Sequence, residues 1–156
     1  MTSQGTEVRV LSARREIAAG AGTIFELIAD PARQPSWDGN DNLGVAAAGQ
    51  RVRGVGEVFA MTLTRTSGVR DNRVTEFEEG RLIAWMPGDP GEEPAGHVWR
   101  WELEPLAQAR TLVTQTYDWT GLSPESPEPR LQRARSMTTD NLRASLDRLA
   151  ALAEAS

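Results

Sequence analysis

The stretch from residue 43 to residue 120 constrains the fold more than any other part of the chain. It consists of short segments rich in apolar and β-branched residues, separated at regular intervals by turns that contain glycine or proline. This pattern is typical of an antiparallel β-meander. We predict strands at residues 43–48, 56–65, 69–77, 82–86, 95–104 and 111–120, preceded by a seventh strand at residues 7–17.

Helical patterns flank this strand-rich region. We predict that Thr23 caps a short helix ending at Asp30-Pro31, because the residue before a proline is disfavoured in the helical conformation. Pro31 then begins a second short helical turn, which ends near Asp38. Residues 130–155 carry apolar side chains at every third or fourth position. This spacing predicts one long helix with a buried face.

The composition favours a single domain. A chain of 156 residues that is 39% hydrophobic can bury one core. We expect residues 7–155 to form it and residues 1–6 to be a flexible N-terminus. The net charge is -5, with acidic and basic residues interspersed, whereas nucleic acid requires a clustered positive patch. No stretch approaches the about 20 apolar residues of a membrane span. We therefore predict a cytoplasmic protein with no nucleic-acid partner and no membrane insertion.

Two residue types are missing, and their absence removes several kinds of chemistry. The chain has no cysteine, which excludes a disulfide framework, a thiol nucleophile and thiolate metal ligands. All 17 basic residues are arginine, so a Schiff-base lysine is excluded as well. His97 is the one histidine, and Glu57, its potential carboxylate co-ligand, lies on another strand without a recognisable ligand spacing. We predict neither a metal site nor a cofactor.

Alternation along the predicted strands assigns the aromatic side chains to one face. In residues 95–104 the odd positions are apolar or aromatic and the even positions include Arg100, Glu102 and Glu104, so the odd face must look inward. The same parity applies to residues 56–65 and 111–120. The inward set is then Glu57, Phe59, Met61, Leu63, His97, Trp99, Trp101, Leu103, Val113, Gln115, Tyr117 and Trp119.

These inward faces converge beneath the predicted long helix, with Trp85 as a further member. One interpretation is that the rings only fill the core. The other is that they line a cavity for an apolar ligand, because each large aromatic buries about 150 to 250 Å² and ligand pockets are mostly apolar with a few polar groups. We favour the cavity, with His97, Gln115 and Tyr117 as its polar groups and Trp37 at its entrance.

Five segments carry a family resemblance when they are read with the order of the elements. They are TIFELIADP at residues 23–31 followed by Trp37-Asp38, RLIAW at 81–85, WRWELEP at 99–105, TLVTQTYD at 111–118 and SLDRL at 145–149. Together they resemble the START/Bet v 1-like (SRPBCC) superfamily, particularly its polyketide cyclase/dehydrase-like branch. The resemblance covers nearly the whole chain.

The resemblance implies an α+β helix-grip fold. In that fold a seven-stranded curved antiparallel sheet wraps around a long C-terminal helix, and two short helices lie between strands 1 and 2. Members of the superfamily bind lipids, sterols, polyketides, plant hormones or other apolar molecules between sheet and helix, and a minority are aromatase/cyclases.

Two functions remain open at this point. The first is binding of a hydrophobic small molecule, and the second is a polyketide cyclase/dehydrase-type reaction assisted by general acid/base residues in the same cavity. A protein-interaction role would require an exposed apolar patch. Also open is a homodimer formed through a sheet edge near residues 69–77. The candidate catalytic residues are His97, Tyr117, Glu57 and Arg65; the candidate ligand-binding residues are Trp37, Phe59, Met61, Leu63, Trp85, His97, Trp99, Trp101, Gln115, Tyr117, Trp119, Thr138 and Leu142.

Overall fold

Seven strands form one antiparallel sheet in the computed structural model, which describes residues 7–65 and 68–156. The sheet order is β1-β7-β6-β5-β4-β3-β2, so each strand from β3 to β7 pairs with its sequence neighbours and β1 closes beside β7. The predicted flexible N-terminus, residues 1–6, lies outside the described residues. The strands are β1 (Val10–Ile17), β2 (Leu43–Val45), β3 (Val58–Leu63), β4 (Val69–Glu78), β5 (Leu82–Gly88), β6 (Val98–Leu106) and β7 (Arg110–Asp118).

The helices follow the expected order. Helix α1 (Ala21–Ala29) and a 3₁₀ helix (Pro31–Ser36) lie between β1 and β2, and helices α2 (Glu128–Ser136) and α3 (Thr139–Glu154) follow the sheet. A register shift between Val74 and Glu76 interrupts the pairing of β4 with β5, and such an irregularity bends a strand. The predicted α+β helix-grip fold, with its curved sheet, is confirmed.

The predicted cap of the first helix is wrong. Helix α1 begins at Ala21, with Gly20 in the N-cap position, so Thr23 lies inside the first turn. The backbone N–H of Ile24 donates to the carbonyl of Gly20 at 3.2 Å, which starts the helical ladder three residues earlier than Thr23 would allow. Glycine is an acceptable N-cap because its backbone adopts the required extended conformation at no steric cost.

The predicted single helix at residues 130–155 is also wrong, because it is interrupted between α2 and α3. Met137 and Thr138 both have extended backbone conformations there. The side chain of Asn141 accepts a hydrogen bond from the backbone N–H of Thr138 at 2.9 Å. That N–H group therefore does not donate to a carbonyl of α2, as it would in a continuous helix. Thr138 is the N-cap of α3 instead of a buried helical position.

The corner that follows the 3₁₀ helix is fastened to α3. The backbone N–H of Gly39 donates to Ser145 Oγ at 2.8 Å, and Arg148 Nη1 donates to the carbonyl of Asp38 at 2.6 Å. A Cβ atom on Gly39 would lie only 2.5 Å from the backbone nitrogen of Ser145. The corner can therefore approach α3 this closely only because residue 39 has no side chain.

Sheet order corrects the predicted dimer edge. Strand β4, which contains residues 69–77, lies between β3 and β5 and pairs with both. Its backbone hydrogen-bonding groups are used within the sheet, so it offers no open edge to a second copy. The strands at the two ends of the sheet are β1 and β2.

Within residues 7–65 and 68–156, none of the helices is both long enough and apolar enough to traverse a lipid bilayer.

The contact at Gly39 makes a first prediction. Gly39→Ala should lower the free energy of unfolding by about 1–3 kcal/mol, because the added methyl group must push backbone atoms of α3 away. Urea denaturation followed by circular dichroism measures the change.

Gly22→Ala is the matched control. No heavy atom lies within 4 Å of the position its Cβ would take in α1. The free energy of unfolding of this variant should therefore equal that of the wild type within about 1 kcal/mol, or be slightly higher. Equal stabilities of the two variants would contradict a tight contact between the corner and α3.

Candidate functional site

A cavity of about 160 Å³ lies under the inner face of the sheet. Its wall comes from strands β2 to β7, and it is closed by the corner around Asp38 and by α2. No residue of α3 lines it among the residues described, since α3 packs instead against α1, β1 and β7. The part of the C-terminal helical region that covers the cavity is therefore α2.

The strand register builds the aromatic wall. Trp85 of β5 pairs with Trp99 of β6, and Trp99 pairs in turn with Tyr117 of β7. Two residue pairs further along the ladder, and hence on the same face, Trp101 lies opposite Gln115. Cross-strand partners on one face stand within contact distance, and the rings of Trp99 and Tyr117 have centroids 4.4 Å apart.

The sequence-predicted ligand residues divide into two groups in the structure. Nine of them line the cavity: Trp37, Met61, Leu63, Trp85, His97, Trp99, Trp101, Gln115 and Tyr117. Trp37, expected at an entrance, is instead buried, with its ring edge-on to that of Trp101 at 5.1 Å between centroids. Its Nε1 donates to the carbonyl of Leu27 at 2.8 Å, which fixes the orientation of the indole.

The other predicted residues lie outside the lining. Phe59 packs edge-on against Trp85, and the guanidinium of Arg9 lies over Trp119, 4.9 Å from its ring centroid. Leu142 is buried on α3 and Thr138 caps that helix. The two charged candidates, Glu57 and Arg65, flank β3 and are exposed; each is engaged locally, Glu57 by the backbone N–H of Arg53 and Arg65 with the carbonyl of Asn40.

Four buried side-chain polar atoms have no hydrogen-bond partner among the residues described. They are Asn40 Oδ1, His97 Nδ1, Trp101 Nε1 and Gln115 Oε1. All four residues line the cavity. Buried polar atoms are nearly always hydrogen-bonded in folded proteins, so their concentration around a single space indicates a site built to receive a polar partner.

His97 and Tyr117 face each other in this site, with ring centroids 6.1 Å apart. Burial lowers the pKa of His97 to about 4, and the positive charges of Arg130, Arg133 and Arg70 act in the same direction. Burial also raises the pKa of Tyr117 to about 12. Both side chains are consequently neutral near pH 7 and can exchange hydrogen bonds with a ligand.

A close backbone crossing holds His97 in place. Gly96, the preceding residue, has φ 125 and lies against Gly121, where an added Cβ would come 2.1 Å from the carbonyl oxygen. Only glycine combines this conformation with this proximity. The crossing brings the loop before β6 together with the loop after β7, and it places His97 beside Leu122 in the cavity wall.

Positive charge collects at the more exposed end of the cavity. We call the guanidinium groups of Arg70, Arg130 and Arg133 the arginine end; all three residues line the cavity. Asp89 pairs with Arg70 at 3.3 Å and with Arg130 at 3.2 Å. Burial and the two neighbouring arginines lower the pKa of Arg133.

Sequence reasoning missed this end of the cavity. Arg70 and Asn72 share the inward side of β4 with buried Val74, so strand parity could have found them. Arg130 and Arg133 stand three positions apart on α2, a spacing that places them on one helical face. The corner residues Asn40 and Asn42 follow no periodic pattern. Gln34, Asp38, Leu43, Pro87 and Leu122 complete the lining that was not predicted.

No group of three or more histidine, cysteine, aspartate or glutamate side chains that could hold a metal ion occurs in residues 7–65 and 68–156.

A family model described as polyketide cyclase / dehydrase and lipid transport matches residues 9–154, nearly the whole chain. The chain belongs to this polyketide cyclase/dehydrase and lipid transport family. The START/Bet v 1-like resemblance seen in the sequence is thereby confirmed.

A curated protein is similar in sequence to this polyketide cyclase/dehydrase family member. Uncharacterized protein Rv0088 of Mycobacterium tuberculosis (strain H37Rv) is 33% identical over 111 residues, which cover 67% of the chain and 45% of that protein. The match thus spans less than half of the curated relative's length.

Two solved structures are similar in fold. A START superfamily protein from Mycobacterium smegmatis has a TM-score of 0.63 at 19% identity, covering 93% of this chain and 97% of that one. The ZhuI aromatase/cyclase from Streptomyces sp. R1128 has a TM-score of 0.64 at 18% identity, covering 94% and 93%.

The environment of His97 predicts a dependence of stability on pH. The folded pKa of about 4 lies below the ordinary value of 6.5, so the unfolded chain binds the proton more readily. The stabilisation is complete above pH 6.5 and is lost as the pH falls to about 4, by up to about 3 kcal/mol at 1.36 kcal/mol per unit. NMR titration of the imidazole, the only one in the chain, measures the folded pKa directly.

His97→Gln is the control for this titration, since it removes the ionisable group and retains polarity. Denaturation curves of this variant should lose the segment of pH dependence between 6.5 and 4 that the wild type shows. An imidazole that titrates near 6.5 in the folded protein would contradict the buried, neutral state of His97.

Proposed function

We propose that this protein binds a compact, mainly apolar molecule in the cavity under α2, with a polar group of the ligand received by the cavity wall. The observation that carries the proposal is that the four buried polar atoms without a partner in residues 7–65 and 68–156 all belong to cavity-lining residues. An aromatic wall with a few oriented polar groups is the usual composition of a small-molecule site. Membership of a family described by both cyclase and lipid-transport activity supports the same conclusion.

The size of the cavity sets the scale of the ligand. Its volume of about 160 Å³ is close to that of an engineered apolar cavity of about 150 Å³ that binds benzene. A molecule of one or two fused rings suits this space, with any longer portion extending past the exposed arginine end. Burial of apolar surface would stabilise the complex by about 25 cal/mol per Å².

Trp101 and Gln115 define the deep end of the cavity. Trp101 is completely buried and Gln115 is 3% exposed. The indole Nε1 can only donate a hydrogen bond, whereas the amide oxygen of Gln115 accepts one. A hydroxyl group is the smallest group that accepts and donates at once, so we assign a ligand hydroxyl to this pair.

A cyclase/dehydrase reaction is the second candidate, and the contact between His97 and Tyr117 favours it. General acid/base catalysis works best when the pKa of the group lies near the working pH. The pKa of His97, about 4, and that of Tyr117, about 12, are far from neutrality in opposite directions. This difference makes both side chains better hydrogen-bonding groups than proton carriers, and it is the reason why binding is our first proposal.

Paired ligands test the role of the deep end. The wild type should bind 2-naphthol more tightly than naphthalene, and Gln115→Leu should reduce that preference by about two- to thirteenfold, the range expected for one hydrogen bond of about 0.5–1.5 kcal/mol. Quenching of tryptophan fluorescence reports binding, because Trp37, Trp85, Trp99 and Trp101 all line the cavity. Calorimetry gives the affinity independently.

Gln132→Leu is the matched control, because Gln132 is exposed on α2 and does not line the cavity. It should leave both affinities unchanged. If neither compound quenched the fluorescence of the wild type, the binding proposal would be wrong; an unaltered preference in Gln115→Leu would refute only the assignment of the hydroxyl.

The catalytic candidate has its own test. Under the binding proposal, the protein should not speed the cyclisation of a linear polyketide thioester beyond the rate in buffer, as followed by product formation with liquid chromatography. If the protein accelerated the reaction and the acceleration disappeared in both His97→Gln and Tyr117→Phe, each still folded by circular dichroism, the function would be catalysis instead of binding alone.

A further inference from the structure

We infer that the natural ligand is an organic anion whose oxyanion group, a carboxylate or a phosphate, is held at the arginine end by the guanidinium of Arg133. This inference rests on the proposed binding function and names the class of ligand. Two observations carry it. Three arginines line one end of an apolar cavity, and two of them, Arg70 and Arg130, form ion pairs with Asp89 whereas Arg133 forms none with the residues described.

The charges at the arginine end do not balance. Arg70 and Arg130 share a single carboxylate, that of Asp89, with N–O distances of 3.3 and 3.2 Å. Arg133 makes no side-chain hydrogen bond or ion pair with any residue of 7–65 or 68–156. Three guanidinium groups therefore face one carboxylate, and an anionic ligand would supply the missing negative charge.

The charges of the three arginines all influence one residue of the cavity wall, His97. Beside burial, the positive charges of all three arginines lower the pKa of His97, and all three line the same cavity as His97. Burial, together with the positive charges of Arg70 and Arg130, lowers the pKa of Arg133, and an anion placed among the three arginines would relieve the repulsion between them. A partly enclosed site strengthens such charge interactions over those in bulk water.

Geometry selects the kind of anion. A guanidinium group presents paired N–H donors in a planar fork that matches two oxygens of a carboxylate or a phosphate. The apolar surfaces of Trp99 and Tyr117 line the same cavity and contact each other. The ligand must then combine an oxyanion at one end with a flat apolar body, which excludes inorganic anions and uncharged hydrocarbons as the preferred partner.

Isosteric probes test this inference. We would measure the affinity of the full-length protein for 2-naphthoate and for 2-naphthamide, its uncharged counterpart, with 2-naphthyl phosphate as a second anion. The wild type should prefer at least one anion over the amide by about tenfold or more, as expected for a hydrogen bond to a charged group. That preference should weaken as the salt concentration rises, whereas the affinity for the amide should not change.

Variants assign the preference to its residue. Arg133→Gln should abolish the preference for the anion and leave the affinity for 2-naphthamide unchanged, and Arg133→Lys should retain part of it. Arg143→Gln is the control with the same change in net charge, because Arg143 is exposed on α3 and does not line the cavity.

The outcomes separate this inference from the proposed function. Equal affinity of the wild type for anions and amide, or a full preference remaining in Arg133→Gln, would overturn the anion site while the binding function stands. Failure of all three probes to bind would overturn both. The relative affinities of naphthoate and naphthyl phosphate identify the oxyanion as carboxylate or phosphate.

Discussion

The pairing register of β5, β6 and β7 is the constraint on which the rest of the molecule depends. It aligns Trp85, Trp99 and Tyr117 in one row and Ile83, Trp101 and Gln115 in the next. A slip of one residue would turn each inward side chain of the slipped strand to the opposite face. The indoles would then face solvent, and the charged side chains that alternate with them in β6 would enter the core. The cavity wall and the fold are therefore fixed by the same hydrogen-bond ladder.

Rigid side chains explain how a cavity persists above this sheet. Trp37 is tied through its Nε1 to the carbonyl of Leu27 and meets Trp101 edge-on, while Phe59 supports Trp85 in the same way. Flat rings held edge-to-face cannot rearrange to fill the space as flexible aliphatic side chains would. Among the residues that the structure describes, the indole Nε1 of Trp101 has no hydrogen-bond partner, although that of the neighbouring Trp37 has one.

Sequence alone could predict the parts of this protein that obey a period. Alternation in β6 and β7 placed Trp101, Gln115 and Tyr117 on the inner face without any structural knowledge, because a strand leaves each side chain only two directions. The interruption at Thr138 was hidden, since it depends on one hydrogen bond from the side chain of Asn141 and not on the apolar pattern.

That error also concealed the arginine end. A single helix over residues 130–155 has one buried face, formed by its apolar positions, so Arg133 was not among the candidate residues. Once α2 is a separate helix, its direction is set independently and Arg133 reaches the cavity lining. Glu57 and Arg65 lie outside the cavity lining for a simpler reason. Strand β3 is shorter than predicted at both ends, so the alternation of faces does not extend to them. The asparagines of the corner follow a turn that has no period to detect.

The break between α2 and α3 divides the C-terminal helical region into two helices with different roles. Helix α3 has six buried residues, three of which are leucines, whereas α2 has only two buried residues, Leu131 and Ala134. At about 1.5–3 kcal/mol for each fully buried leucine, most of the free energy that holds the helices on the sheet resides in α3. Substitutions in α2 can accordingly alter what the cavity accepts while α3 keeps the sheet folded, so that ligand choice and stability can evolve separately in this chain.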